Sequence, residues 1–213
     1  MRFLYKSAVV FDDHQLFADS FSSLLEKTKK FQEVRVISDY ESFLNYLLGD
    51  VRTEVYLFLD YYLADGMLGV ELINEVRRFR KSIHIIVVSS VSNPVAIKLI
   101  KSYNPEAIIS KASGFNIVLK CLHSLNNKEN YYCPYIRRIL EQVTNEEVVV
   151  FSAREIEVLK HFAQGLSVVE TAEKLMLSKH TVVSHRRNMM KKTNSKSIIE
   201  LLSYVRNHSI ILN

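Results

Sequence analysis

The sequence is poor in the residues that mark fibrous, disordered or disulfide-rich chains. Its 213 residues include five glycines, three prolines and two cysteines. So few glycines and prolines, with no biased run, argue against a fibrous or disordered protein. Cys121 and Cys133 are too few for a disulfide framework or for a zinc site with paired cysteine spacings. We therefore expect two reduced thiols, as in a cytosolic protein.

Long apolar runs are also missing. No stretch approaches the roughly 18 uninterrupted apolar residues that a membrane-spanning helix needs. The short apolar run in MRFLYKSAVVFDD ends in two aspartates, which is unlike a signal peptide. We expect a cytoplasmic protein with no membrane partner. At about 150 residues per domain, the length predicts one or two domains with enough core to fold without disulfides or metals.

The charge is unevenly distributed. The net charge of +5 comes from 28 basic and 23 acidic residues. Residues 1–125 hold 15 Lys/Arg and 14 Asp/Glu (net +1), whereas residues 126–213 hold 13 and 9 (net +4). Residues 178–213 contain seven basic residues and one acidic residue, Glu200. Such a segment suggests a polyanion partner, although a solvated lysine-rich face explains the charge equally well.

Over the first 125 residues, short β-branched or aromatic runs alternate with segments of helical period. The predicted strands are Ala8–Phe11, Val34–Ile37, Val55–Leu59, Ile83–Val88 and Ala107–Ile109. The predicted helices are Leu16–Thr28, Glu41–Leu48, Leu68–Phe79, Pro94–Tyr103 and Ser113–Leu125. These alternations predict an α/β fold, a five-stranded parallel sheet that is doubly wound and flavodoxin-like. Its functional site should lie at the carboxyl ends of the strands.

After Leu125 the periodicity changes. Residues 126–130 are polar, Tyr131–Glu141 is amphipathic, and residues 142–147 resemble a linker. From Phe151 onward the period is helical: Ser152 and Glu155 have the spacing of a capping box, and Gly165 is placed to end that helix. A second helix is predicted at about Val168–Leu175 and a third after Ser178. We therefore predict an α/β domain over 1–125, a linker over 126–150 and a small all-α domain over 151–213.

Polar residues follow four of the predicted strands. Asp12 and Asp13 follow the first, Asp60 the third, Ser89 the fourth and Lys111 the fifth. A parallel sheet brings these ends to one edge, and three converging carboxylates favour a bound Mg2+. A carboxylate beside Mg2+ can attack phosphorus, and a hydroxyl and an ammonium nearby could hold the oxygens of an acyl phosphate.

These segments resemble the receiver domain of bacterial response regulators. The matching pieces are FDDH at 11–14, FLDYYL at 58–63, VVSS at 87–90 and ISKAS at 109–113. The resemblance implies a sensor histidine kinase as partner and the following site: Asp60 as phosphoacceptor, Asp12, Asp13, Asp60 and the backbone carbonyl of Tyr62 as Mg2+ ligands, Ser89 as switch hydroxyl, and Lys111 as counter-charge.

Three positions depart from the receiver pattern. Ala112 stands where the family often has a proline in a cis bond, and Ile108 stands where it has a switch aromatic. The turn over residues 64–69 lacks the common proline and is about one residue longer than usual. None of these changes removes a residue that the phosphoryl chemistry needs.

The helix predicted from the N-cap Ser178 to about Lys192 has two unlike faces. At 100° per residue, one face carries mostly polar and basic side chains: Val183, Ser184, Arg187, Asn188 and Lys191. The other face carries Val182, His185 and Met189. A helix with an apolar back and a long polar front suits the DNA major groove.

This region resembles the LuxR-type helix-turn-helix of the NarL/FixJ subfamily. The strongest marks are SAREIEVL, the Gly165 turn, ETAEKL, TVVSH at 181–185 and Lys192 after it. By that likeness Val183, Ser184 and Arg187 face base edges, and the following residues lie near phosphates: Lys179, His180, Thr181, Arg186, Lys191 and Lys192. The family usually has lysine at the position of Val183, whose apolar side chain suggests a thymine-methyl contact.

The favoured function is a phosphorylation-controlled, DNA-binding transcription regulator of a two-component system rather than an enzyme. The phosphorylated form would bind double-stranded DNA as a homodimer on a two-fold symmetric operator. One alternative is a metal-dependent phosphatase with an aspartyl nucleophile, but it needs a second carboxylate where Tyr62 stands. The other is a phosphorylation-independent DNA-binding protein whose receiver is only a dimerisation module, which Ile108 and Ala112 keep open.

Overall fold

A parallel sheet forms the centre of the N-terminal part of the chain. The computed structural model describes residues 5–49, 53–63, 67–79, 83–142, 149, 151–208 and 210–211. Within these residues the strands are β1 (Tyr5–Phe11), β2 (Glu33–Ile37), β3 (Thr53–Leu59), β4 (Ile83–Ser89), β5 (Ala107–Ser110) and β6 (Tyr131–Tyr132). Their order across the sheet is β2-β1-β3-β4-β5-β6, and every pairing is parallel.

The α/β fold and all five predicted strands are confirmed, but the predicted strand number was wrong. A sixth strand, β6, pairs with the outer side of β5 through Ala107–Tyr131 and Ile108–Tyr132. It has two residues, which is too short to show a periodicity in the sequence.

The helices of this part are α1 (Gln15–Lys27), α2 (Tyr40–Leu48), α3 (Gly69–Phe79), α4 (Pro94–Ser102), α5 (Phe115–Asn126) and α6 (Pro134–Gln142). The first five were predicted to within two residues at either end. β6 and α6 lie inside the predicted linker, where only an amphipathic segment was expected. Residues 143–148 and 150 of that linker lie outside the described residues, and its bounds stay a prediction.

Residues that lie close together in space group into two compact units, residues 1–91 with 103–142 and residues 92–102 with 143–213. In the first unit both faces of the sheet are covered, which is why its central strands are continuous apolar runs. On one face, Val10 and Phe58 belong to the same buried cluster as α1 and α5 residues. On the other face, the ring of Phe11 lies 4.7 Å from that of Phe43 in α2.

Four C-terminal helices make up most of the second unit: α7 (Ala153–Ala163), α8 (Val168–Lys174), α9 (Lys179–Lys192) and α10 (Ile198–Asn207). The Ser152–Glu155 capping box is confirmed. Gly165 follows α7 with φ +84°, a conformation that favours glycine, and the amide of Leu166 donates to the carbonyl of His161. The small core includes Ile156, Leu159, Ala172, Val182, Met189 and Leu201.

No helix in the described part of the chain is both long and apolar enough to cross a membrane.

Candidate functional site

Two buried carboxylates lie at the carboxyl edge of the sheet. The amide of Asp60 donates to the carbonyl of Phe11 (3.0 Å), and that of Asp12 donates to the carbonyl of Ile37 (3.3 Å). These bonds continue the strand pairing past β1 and β3 and so place both residues at the same edge. Each of the two side chains is 3% exposed, whereas Asp13 is exposed.

Lys111 joins the two buried carboxylates. Its Nζ lies 2.6 Å from Asp60 Oδ2 and 2.7 Å from Asp12 Oδ2. The amide of Lys111 donates to the carbonyl of Ser89 (2.8 Å), so the end of β4 lies beside it. The Ser89 hydroxyl is buried and accepts a hydrogen bond from the amide of Val91 (3.1 Å). Lys111 thus contacts both Asp12 and Asp60, with Ser89 at the same sheet edge.

The site holds more negative charge than its lysine neutralises. Burial raises the pKa of the Asp60 carboxyl from an ordinary 3.8 to about 6, against the opposing hydrogen bond and charge of Lys111. The nearby Asp12 carboxylate adds to this rise, and the amide of Tyr61 donates to Asp60 Oδ1 (2.6 Å) and opposes it. A cation at this position would relieve the cost of the ionised group.

His14 also lies at this edge and was not included in the predicted site. Its Nδ1 is 2.9 Å from Asp13 Oδ1, 3.3 Å from Asp12 Oδ1 and 3.8 Å from Asp60 Oδ2. One ligand atom from each of the four side chains lies within 4.8 Å of the others. The hard carboxylate oxygens in this set suit a divalent cation such as Mg2+. The FDDH motif contained His14, but nothing in its local pattern fixed the direction of the ring.

The loop after Asp60 approaches the strand end closely. A Cβ on Gly69, the first residue of α3, would lie 1.9 Å from the Asp60 carbonyl oxygen, so the position needs glycine. Tyr62, the predicted carbonyl ligand, forms an isolated antiparallel bridge with Leu68. Residues 64–66 of the turn predicted to be longer than usual lie outside the described residues.

The structure describes the surroundings of two residues that depart from the receiver pattern, Ile108 and Ala112. Ile108 is 1% exposed and fills a core position in β5. No cis peptide bond occurs in the described residues, so the Lys111–Ala112 bond is trans. An aromatic ring does lie beside the lysine, because Lys111 Nζ is 4.5 Å from the ring centre of Phe17 in α1.

The second candidate site is α9. Its N-cap Ser178 accepts a hydrogen bond from the amide of Thr181 (3.0 Å), as predicted. Val182 and Met189 are fully buried, which confirms the apolar back. Of the predicted DNA-facing residues, Lys179, His180, Arg187, Lys191 and Lys192 are exposed, and Thr181, Val183, Ser184 and Arg186 are half-buried.

Lys192 has a structural contact that the sequence did not reveal. Its Nζ lies 2.7 Å from Glu155 Oε2, whose side chain is 6% exposed. Burial alone raises the pKa of Glu155, but hydrogen bonds from Lys192 and Ser152 outweigh it and hold the pKa below its ordinary value. The end of α9 is therefore tied to the start of α7.

A second capping box was also missed. Ser167 accepts from the amide of Glu170, whose carboxylate accepts from the amide of Ser167 (2.8 Å). The S-x-x-E spacing of SVVE could have revealed it. It fixes the start of α8, the helix before α9.

Comparison with known proteins agrees with this architecture. Residues 8–122 match the response regulator receiver domain family, and residues 149–205 match the bacterial regulatory proteins of the luxR family. The Fimbriae Z protein of Escherichia coli K12 is 25% identical over 209 residues, covering 96% of this chain and 98% of its own. The transcriptional regulatory protein RcsB of Escherichia coli K12 is 24% identical over 204 residues, covering 93% of each chain.

A solved structure is similar along nearly the whole length. RcsB from Salmonella enterica serovar Typhimurium, bound to promoter rprA in the presence of the phosphomimetic BeF3-, is 25% identical with a TM-score of 0.70. The alignment covers 94% of this chain and 98% of that one. The receiver family model matches more than half of this chain, and a luxR-family region follows it. The chain therefore belongs to the response regulators of the NarL/FixJ type.

Proposed function

We propose that this response regulator is a phosphorylation-controlled, DNA-binding transcription regulator of a two-component system. A sensor histidine kinase donates a phosphoryl group to Asp60, and α9 carries the output to double-stranded DNA. The observation that carries the proposal is the contact of two buried carboxylates, Asp12 and Asp60, with the single ammonium of Lys111. The proposed domain bounds remain 1–125, 126–150 and 151–213.

The chemistry needs a nucleophile, a cation and a counter-charge. A carboxylate oxygen of Asp60 forms the bond to phosphorus as the bond from phosphorus to the donor breaks. Mg2+, when bound, neutralises the phosphoryl oxygens during transfer. We assign its ligands to Asp12, Asp13, Asp60 and the carbonyl of Tyr62. Lys111 then pairs with the new phosphoryl oxygens, and the Ser89 hydroxyl turns to donate to them.

The output rests on the exposed front of α9. We propose that Val183, Ser184 and Arg187 contact the edges of DNA bases. The residues proposed to contact phosphates are Lys179, His180, Thr181, Arg186, Lys191 and Lys192. The promoter-bound structure of RcsB supports DNA as the partner. We propose that the phosphorylated form binds as a homodimer, because a two-fold symmetric protein matches a two-fold symmetric operator. A regulator of this kind acts in the cytoplasm, and no enzymatic turnover is assigned to it.

One specific observation favours a second candidate. Ile108 is an aliphatic core residue, so the rotating ring that couples many receivers to their output is missing at this position. The chain could then bind DNA without phosphorylation and use its receiver only to dimerise. Phosphoryl uptake and its effect on DNA affinity separate the two functions.

The decisive experiment is phosphorylation by a small phosphodonor. The full chain is incubated with Mg2+ and an acyl phosphate, and intact mass is measured for wild type, Asp60→Asn and Asp19→Asn. The last is a matched control, because Asp19 is an exposed carboxylate on α1. A gain of one phosphoryl group that needs Mg2+ and Asp60 but not Asp19, together with tighter binding to a selected DNA duplex, supports the proposal. No uptake by a folded protein that still binds DNA would favour the second candidate.

A further inference from the structure

The backbone of His14 is fixed beside the acidic cluster by two hydrogen bonds. Its amide donates to Asp12 Oδ1 (3.0 Å), which closes a turn two residues long, and its carbonyl accepts from Ala18 in the first turn of α1. These bonds fix the backbone of His14 beside the carboxylates, and the rotamer of its side chain brings Nδ1 to them. The imidazole is 66% exposed, so its other nitrogen can keep a proton in contact with water.

The distances around Nδ1 match those between neighbouring ligands of one ion. At metal–ligand distances of about 2.1 Å, adjacent ligands of an octahedral ion lie roughly 3 Å apart and opposite ligands roughly 4.2 Å apart. Nδ1 lies 2.9, 3.3 and 3.8 Å from oxygens of Asp13, Asp12 and Asp60. The first two values are close to the separation of adjacent ligands and the third lies between the two separations. The four ligand atoms lie within 4.8 Å of one another, so small side-chain movements would bring the nitrogen and the oxygens around one ion.

His14 and Lys111 lie against different oxygens of Asp12. Lys111 contacts Oδ2 of Asp12, whereas His14 lies against Oδ1 of the same carboxylate. On Asp60 both lie near Oδ2, at 2.6 Å for the lysine and 3.8 Å for the imidazole, so an ion bound there would share that oxygen with the lysine. Three carboxylates and one ammonium leave a charge of about −2, which a divalent ion balances while a neutral imidazole completes its ligand set.

We propose that His14 Nδ1 is a metal ligand of this site and shifts its preference from Mg2+ toward first-row transition-metal dications. Mg2+ is a hard ion that prefers oxygen, whereas imidazole nitrogen raises affinity for transition metals far more than for Mg2+. The inference rests on the proposed function, because it takes the acidic edge to be a metal site. It adds a specificity-determining residue that the phosphoryl chemistry itself does not need.

The test uses Mn2+ as the probe and Mg2+ as the comparison ion, on the full chain after treatment with a chelator. Free Mn2+ is counted by electron paramagnetic resonance, and spin-echo modulation of bound Mn2+ detects a coordinated nitrogen. Mg2+ affinity follows from competition. The variants are His14→Ala and the control His123→Ala, which removes an exposed histidine of α5.

We expect nitrogen modulation in wild type and in His123→Ala and its loss in His14→Ala. Mn2+ affinity should fall by about tenfold in His14→Ala, while Mg2+ affinity changes by less than about threefold. Unchanged or tighter Mn2+ binding by His14→Ala, or no nitrogen coupling in wild type, would overturn the inference. Tighter binding would mean that the imidazole competes with the ion.

The outcomes also separate this inference from the proposed function. If wild type binds both ions and Asp60→Asn loses both, but His14→Ala behaves as wild type, only the role of His14 fails. If wild type binds neither ion, the metal requirement of the phosphoryl transfer fails together with it.

Discussion

Replacing Asp60 by asparagine is expected to stabilise the N-terminal domain when no metal is bound. The carboxyl is 3% exposed, and burial raises its pKa to about 6 from 3.8. Between these two values the folded chain keeps a proton that the unfolded chain has lost. The stability due to this proton is complete below about pH 4 and is lost as the pH rises through about 6.

The magnitude follows from the pKa difference. About two pKa units correspond to about 3 kcal/mol at about 1.36 kcal/mol per unit. That pKa already includes the opposing hydrogen bond and charge of Lys111, so the loss of this contact in Asp60→Asn is not subtracted a second time, and Lys111 keeps Asp12 at 2.7 Å. We therefore expect the free energy of unfolding at about pH 7.5 to rise by about 3 kcal/mol.

The assay is urea unfolding of the chelator-treated full chain at several pH values, with hydrogen exchange of peptides from β1 and β3 to assign the change to this domain. Relative to Asp60→Asn, wild type should lose stability as the pH is raised through 6, and Asp19→Asn should follow wild type. Adding Mg2+ should stabilise wild type and leave Asp60→Asn nearly unchanged. Parallel pH profiles, or an asparagine variant that is less stable at about pH 7.5, would refute the reasoning.

Three further results are expected. Gly69→Ala should destabilise the N-terminal domain by about 2 kcal/mol or more in urea unfolding and weaken Mg2+ binding, because the new Cβ would lie 1.9 Å from the carbonyl oxygen of Asp60. Unchanged stability would contradict this close approach. Arg187→Ala should cost about 1–3 kcal/mol of binding free energy on the cognate duplex and relax the preference at one base pair, and equal losses of affinity on random and cognate DNA would contradict a base contact. Lys191→Ala should instead weaken binding to all sequences alike and lower the slope of log affinity against log salt concentration by about one. Lys192→Ala should lower the free energy of unfolding of the C-terminal domain, measured in urea, by about 1–2 kcal/mol, because the Glu155 carboxylate loses its ammonium partner. Glu155→Gln, measured beside it, should cost less because no unpaired carboxylate remains.

Local patterns in the sequence predicted most of the fold. The buried strands are continuous apolar runs because helices cover both faces of the sheet, and such runs are easily recognised. The capping residues Ser152 and Ser178 were predicted because their hydrogen bonds span only three residues. β6 was missed because its two residues are held by pairing with β5, which is a contact distant in sequence.

Part of the candidate site was also predicted from the sequence, because it follows from the order and direction of the strands. Asp12, Asp60 and Lys111 each follow a strand, and parallel pairing brings strand ends together, so their meeting follows from topology. The direction of a side chain does not follow from topology. The approach of His14 to the carboxylates and the pairing of Lys192 with Glu155 depend on rotamers and on packing between helices, and no local spacing encodes them.

The buried side of α9 attaches the helix to its domain, and this bears on how a regulator of this kind can change its target. Val182, Met189 and the contact of Lys192 with Glu155 attach the helix to its own domain. Arg187 is exposed, whereas its neighbours Val183, Ser184 and Arg186 are half-buried. If Arg187 contacts bases as proposed, a new operator preference could be introduced by substitution at this exposed position while the domain that presents it folds as before.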